Sequence, residues 1–141
     1  MDPKIIQGNL NSDYRGSLSY NNDFDTTEVK RIYVIENKDS RFIRGWQGHK
    51  IEQRWFSAIQ GSFMIKLIQI DNWKTPSKNI LPLIFNLKSS KLDVLHVPAG
   101  FVSSIQSLED KSKLLVMADN PLGKINDEYR YEADYFIAEK K

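Results

Sequence analysis

Cysteine is absent from the 141 residues. That removes disulfides, thiolate metal sites and a cysteine nucleophile, and fits a reducing compartment. Long apolar runs are also missing: no stretch approaches the roughly 18 residues of a membrane span, and the opening MDPKIIQGNL lacks the h-region of a signal peptide. Charge of one sign is lacking, since 20 Lys and Arg against 18 Asp and Glu leave a net charge of +2. There is no general pull toward nucleic acid or a membrane surface, so any anion site has to come from local geometry. Histidine occurs only at positions 49 and 96, which confines imidazole chemistry to two places. The expectation is a soluble cytoplasmic protein with one domain over residues 1–141, long enough to bury a core without covalent staples.

What is present is β chemistry. Short segments rich in β-branched and aromatic residues recur: VKRIYVIE at 29–36, FMIKLIQI at 63–70, ILPLIFNL at 80–87, LDVLHVPAGF at 92–101 and KLLVMAD at 113–119. Turn-forming clusters separate them, among them Asn37-Lys38-Asp39-Ser40, Gly61-Ser62 and Lys88-Ser89-Ser90. Many short strands with no long 3.6-residue pattern predict an all-β antiparallel sandwich or barrel. The tail NDEYRYEADYFIAEKK is the one place where a short helix is expected.

The stretch RGWQGHKIEQRWF, residues 44–56, concentrates polar side chains between aromatics. His49 stands two residues after Gln47, Glu52 follows, and Gly61-Ser62 closes the segment. Strand alternation sends every second side chain to one face, so Gln47 and His49 share a side. With Arg44 and Arg54 they predict a cavity holding two fixed positive charges and one titratable imidazole. Such a cavity suits an anion, above all one that offers phosphate oxygens to guanidinium forks.

This layout resembles the cupins, jelly-roll barrels whose first signature carries two histidines, a glutamate and a closing glycine, and whose second carries Pro-x-Gly-x-x-His. With Gly61 as anchor, the first histidine falls on Gln47, the second on His49 and the glutamate on Arg54. Pro98-Ala99-Gly100-Phe101-Val102-Ser103 keeps the proline and glycine and has serine for the last histidine. One ligand of four remains and a cation replaces the acid, so neither a metal nor another cofactor is expected.

Three stretches extend the resemblance to the cupin-type nucleotide-sugar isomerases and epimerases, specifically the dTDP-4-keto-6-deoxyglucose 3,4-ketoisomerases and, more distantly, dTDP-4-dehydrorhamnose 3,5-epimerase. Asp13-Tyr14-Arg15-Gly16-Ser17-Leu18 followed by VKRIYVIE is similar to that family's opening. Arg44-Gly45-Trp46-Gln47-Gly48-His49-Lys50 with Gly61-Ser62 is similar to its middle, and Asn126-Asp127-Glu128-Tyr129-Arg130-Tyr131 through Asp134-Tyr135-Phe136 to its tail. The resemblance implies a homodimer of jelly-roll subunits that binds a dTDP-linked sugar without metal and moves protons at carbons beside a ketone.

It also implies roles. Arg15 and Arg130 are candidates for the diphosphate, Arg44 and Arg54 for phosphate or the keto oxygen, and Tyr33 for the acid. Gln47 departs from the family, which has histidine there as the best candidate for the base, and glutamine cannot take a proton. Three alternatives follow: His49 acts as the base, His96 does, or the protein binds the sugar without turning it over. Trp46, Trp55 and Phe56 are either stacking surfaces or core, and Pro98 and Gly100 are expected to set a tight turn.

Overall fold

Alternation with a period of two builds the core. In the computed structural model, which describes residues 1–120 and 126–137, strand β7 (Ser62–Gln69) turns Phe63, Ile65 and Leu67 inward, all fully buried. β6 (Arg54–Gln60) adds Phe56 and Ala58 to the same interior, and β11 (Lys113–Ala118) adds Leu114 and Val116. β-Branched and aromatic residues at alternate positions fit a pleated surface buried on one side.

Two five-stranded antiparallel sheets face each other across this core. One runs β1 (Lys4–Ile6), β9 (Val94–Val97), β6, β11, β4 (Arg31–Ile35), and the other β12 (Glu128–Arg130), β5 (Ile43–His49), β10 (Phe101–Ser107), β7, β8 (Leu83–Lys88). A separate hairpin pairs β2 (Asn9–Asp13) with β3 (Gly16–Tyr20). This is the all-β, cupin-type jelly roll that the sequence predicts. No described helix is long and apolar enough to cross a membrane.

Two expectations need correction. LDVLHVPAGF is not one strand: β9 ends at Val97, Pro98 to Gly100 form the turn expected of that proline and glycine, and β10 starts at Phe101. Gly100 has φ of 96°, and proline cannot donate to a ladder, so the segment must break there. Nor does the tail form a helix over 126–137. Glu128–Arg130 adds an edge strand to β5 and the remainder is turn, because Tyr131, Tyr135 and Phe136 pack on Trp46, Ile68 and Val102 across the outer face of the second sheet. Residues 138–141 of that expected helix lie outside the described residues.

Candidate active site

Between the two sheets a small cleft, with a cavity volume of about 30 Å3, is lined by Tyr33, Arg44, Gln47, His49, Glu52 and Arg54 above a floor that includes Phe56, Phe101 and Ile105. Gln47 and His49 reach it by simple alternation on β5. Arg44 would point away from Gln47 at an odd spacing, but a register shift corrects this: Ser103 pairs with Gln47 while Ile105 pairs with Arg44, so β5 holds one extra residue. Such a bulge returns Arg44 to the cavity side. Gly48 lets β5 lie close to β10, since a Cβ there would meet the Phe101 carbonyl at 2.2 Å.

Glu52 organises the charges. Its Oε2 accepts from Nε of Arg54 at 2.7 Å and lies 2.7 Å from Nη2. Arg31 Nη2 stands 3.7 Å and His49 Nε2 3.8 Å from the same oxygen. Nη1 of Arg54 donates to the Tyr33 hydroxyl. Across the cleft, Arg44 Nε donates to Asn37 Oδ1 at 3.1 Å, and Asn37 in turn donates to the Ile105 carbonyl at 3.1 Å. Glu52 therefore offsets one of the guanidinium groups and leaves the cleft cationic.

His49 is nine-tenths buried, with Nδ1 3.0 Å from the Asp127 carbonyl oxygen. A carbonyl only accepts, so Nδ1 carries the hydrogen and Nε2 keeps its lone pair. Nε2 has no hydrogen-bond partner among the described residues. Burial pushes the imidazole below its ordinary value of 6.5 and the Arg54 charge pushes the same way, while Glu52 and Asp127 oppose them. The result is an imidazole biased toward its neutral form, lining a cationic cleft, whose buried acceptor nitrogen has no hydrogen-bond partner among the described residues; a general base needs such an uncommitted lone pair.

The donor set does not fit a metal. One imidazole faces two guanidiniums, and the one carboxylate is committed to Arg54. No group of three or more His, Cys, Asp or Glu side chains among the described residues is placed to hold an ion.

Of the residues singled out from the sequence, the structure brings Tyr33, Arg44, Gln47, His49 and Arg54 together. His96 is a correction: it lies on the outer face of β9, stacked on Trp55 with ring centroids 5.5 Å apart and bonded through Nε2 to Gln53 Oε1 at 2.7 Å. Its neighbours Leu95 and Val97 take the inward positions instead. Arg15 sits at the exposed tip of the β2–β3 hairpin, paired with Asp13 at 2.7 Å. Arg130 is exposed on β12 and paired with Glu128 at 2.6 Å; it lines a groove beside the cleft that also includes Arg44 and Gln47. Trp46 packs edge-on against Phe136 on the outer face, so among the three aromatics only Phe56 borders the cleft. Glu52, Asn37 and Asp127 carry much of the site's organisation although the sequence assigns none of them a role; each is a polar residue outside a strand, where no periodicity marks it.

Residues 1–141 match the family described as FdtA: WxcM-like, C-terminal. No curated protein sequence matches the chain. Among solved structures, the chain is similar to the WlaRB TDP-quinovose 3,4-ketoisomerase from Campylobacter jejuni, with a TM-score of 0.68 and 23% identity over 96% of this chain and 97% of that one. It is similar to the sugar 3,4-ketoisomerase QdtA from Thermoanaerobacterium thermosaccharolyticum in complex with TDP, at 0.70 and 20% over 95% and 91%. It also resembles ChmJ, a 3'-monoepimerase from Streptomyces bikiniensis in complex with dTDP-quinovose, at 0.73 and 14% over 93% and 70%. Likeness at these identities speaks for the fold.

Proposed function

The chain belongs to the WxcM-like, C-terminal family, and from that premise we propose that it is a nucleotide-sugar isomerase or epimerase acting, without metal, on a dTDP-4-keto-6-deoxyhexose. The observation that carries this reading is His49: a buried neutral imidazole whose Nε2 is unpartnered at a cationic cleft. Structures of similar fold are described as ketoisomerases and epimerases, two of them in complex with TDP or a dTDP-sugar.

The chemistry in this reading balances without an oxidant. His49 Nε2 takes the proton from the carbon beside the ketone, and the C–H electron pair moves into an enediolate. Arg44 and the amide of Gln47 stabilise the negative oxygen. The new imidazolium is held by Glu52, whose Oε2 lies 3.8 Å from Nε2. Tyr33, polarised by the Arg54 guanidinium, gives its proton to the old carbonyl carbon, while the hydroxyl proton of the first carbon passes to the old carbonyl oxygen, which leaves the ketone moved by one position. The His49 imidazolium then returns its proton to the Tyr33 phenolate through water. Arg15 and Arg130 serve the diphosphate; Arg15, exposed on its hairpin, reaches it in a neighbouring subunit of a homodimer.

Gln47 favours a second reading, a nucleotide-sugar binder that has lost the base. Calorimetry with dTDP beside a product assay on a dTDP-4-keto-6-deoxy sugar separates the two. Binding with product is the expected result, binding without product supports the second reading, and neither overturns both.

A further inference from the structure

Asp127 precedes β12, and the pairing of Glu128 with His49 brings it against the end of β5. It is 5% exposed. Its carboxylate accepts three backbone N–H groups in the loop between β5 and β6: Lys50 on Oδ1 at 2.9 Å, and Ile51 at 2.9 Å and Glu52 at 2.8 Å on Oδ2. Its carbonyl accepts Nδ1–H of His49 at 3.0 Å. One residue thus grips both the imidazole and the backbone of the carboxylate that faces it.

We propose that Asp127 is the positioning residue of the site: by anchoring the loop with its side chain and His49 with its carbonyl, it fixes the Nδ1–H tautomer and leaves the Nε2 lone pair toward the substrate. The proposal rests on the reading of His49 as the base, and gives Asp127 a role in the reaction that never requires it to touch substrate. Without the three loop bonds, nothing on the side chain would hold the Asp127 carbonyl opposite Nδ1. The imidazole would then be free to place its hydrogen on Nε2, where it blocks proton abstraction. A loop that shifts also carries Glu52 away from Nε2 and Arg54, so both the base and the group that receives its charge depend on one anchor.

Only two histidines are present, so 15N-histidine labelling gives two pairs of ring-nitrogen signals that a single His49→Asn variant assigns. At a pH where both rings are neutral, wild-type His49 is expected as the Nδ1–H tautomer. In Asp127→Ala it is expected to shift toward the Nε2–H form, while the His96 ring, on the outer face, keeps its wild-type signals and reports that the fold is intact. Asp127→Asn, which can keep an oxygen for Ile51 and Glu52, should fall between the two. An Nε2–H ring in the wild type, or a wild-type tautomer in the folded Ala variant, overturns the proposal. Should the Ala variant fail to fold, the wild-type and Asn spectra still decide. These signals need no substrate, so they stand or fall separately from turnover. In a turnover assay kcat is expected to fall at least about tenfold in the Ala variant with KM little changed, and an equal loss in KM alone would speak for a merely structural part.

Discussion

Replacing Glu52 by glutamine removes the charge on which the cleft's cations converge. Glu52 and Arg54 keep 6% and 12% of their side-chain surface exposed, so solvent screens the pair little. Two unit charges about 4 Å apart at an effective dielectric of about 20 attract by about 4 kcal/mol. Glutamine keeps one acceptor oxygen for Arg54 and the mouth of the cleft is open to water, which lowers the net loss to about 2–3 kcal/mol, within the range for breaking a buried pair on one side. For a chain of this size that is a fall in Tm of about 6–15 °C. Urea or thermal unfolding followed by circular dichroism reads it. The exposed pair Arg130–Glu128 is the internal control: Glu128→Gln should change stability by less than about 0.5 kcal/mol. The same Glu52→Gln variant should lower the His49 pKa further, because Glu52 is the largest of the influences that raise it. Stability within about 0.5 kcal/mol of wild type, or a His49 titration that moves upward, would refute the charge assignment.

Both histidines are held below their ordinary 6.5, chiefly by burial. The unfolded chain therefore binds more protons just below that value, so stability is complete above pH 6.5 and is lost as the pH falls from there toward the folded values; Tm should drop between pH 7.5 and 5.5, with a shallower drop in a His49→Gln, His96→Gln double variant. His96→Asn alone should leave kcat/KM within about threefold of wild type, since His96 bonds Gln53 on the outer face; a loss of 100-fold in a folded variant would restore it to the site. Gly48→Ala should destabilise by about 2–4 kcal/mol and abolish turnover, because its methyl group would lie 2.2 Å from the Phe101 carbonyl and 2.5 Å from Val102 Cα, forcing apart the strands that carry Gln47, His49 and Ser103.

Where one face of a strand is apolar and the other polar, the sequence was readable. Phe63, Ile65 and Leu67 declare the interior of β7, and Gln47 and His49 declare the cleft. On β9 that contrast disappears. Leu95 and Val97 are buried in the core, and Val94 is buried on the other side because Ile6, Phe24 and Val29 cover the outer face with Trp55 and Met117, so nothing in the pattern told which way His96 points. Arg44 reaches the cleft only through the bulge, which alternation cannot show; its motif pointed to it instead. Glu52 and Asp127 were hidden for another reason: they act from loops brought together by the pairing of β12 with β5, a contact 75 residues apart in sequence. A short helix was expected in the tail, yet Tyr131, Tyr135 and Phe136 are spread over a sheet face rather than one side of a helix.

The proton transfer assigned to His49 is the central claim. Incubating the protein in heavy water with a dTDP-4-keto-6-deoxy sugar and following the sugar by proton NMR tests it directly. Deuterium should enter beside the ketone with the wild type and not with His49→Asn, while dTDP affinity stays within about threefold; removal of a general base costs about 10²–10⁴ in rate. No exchange with the wild type, or unchanged exchange with His49→Asn, would contradict the account.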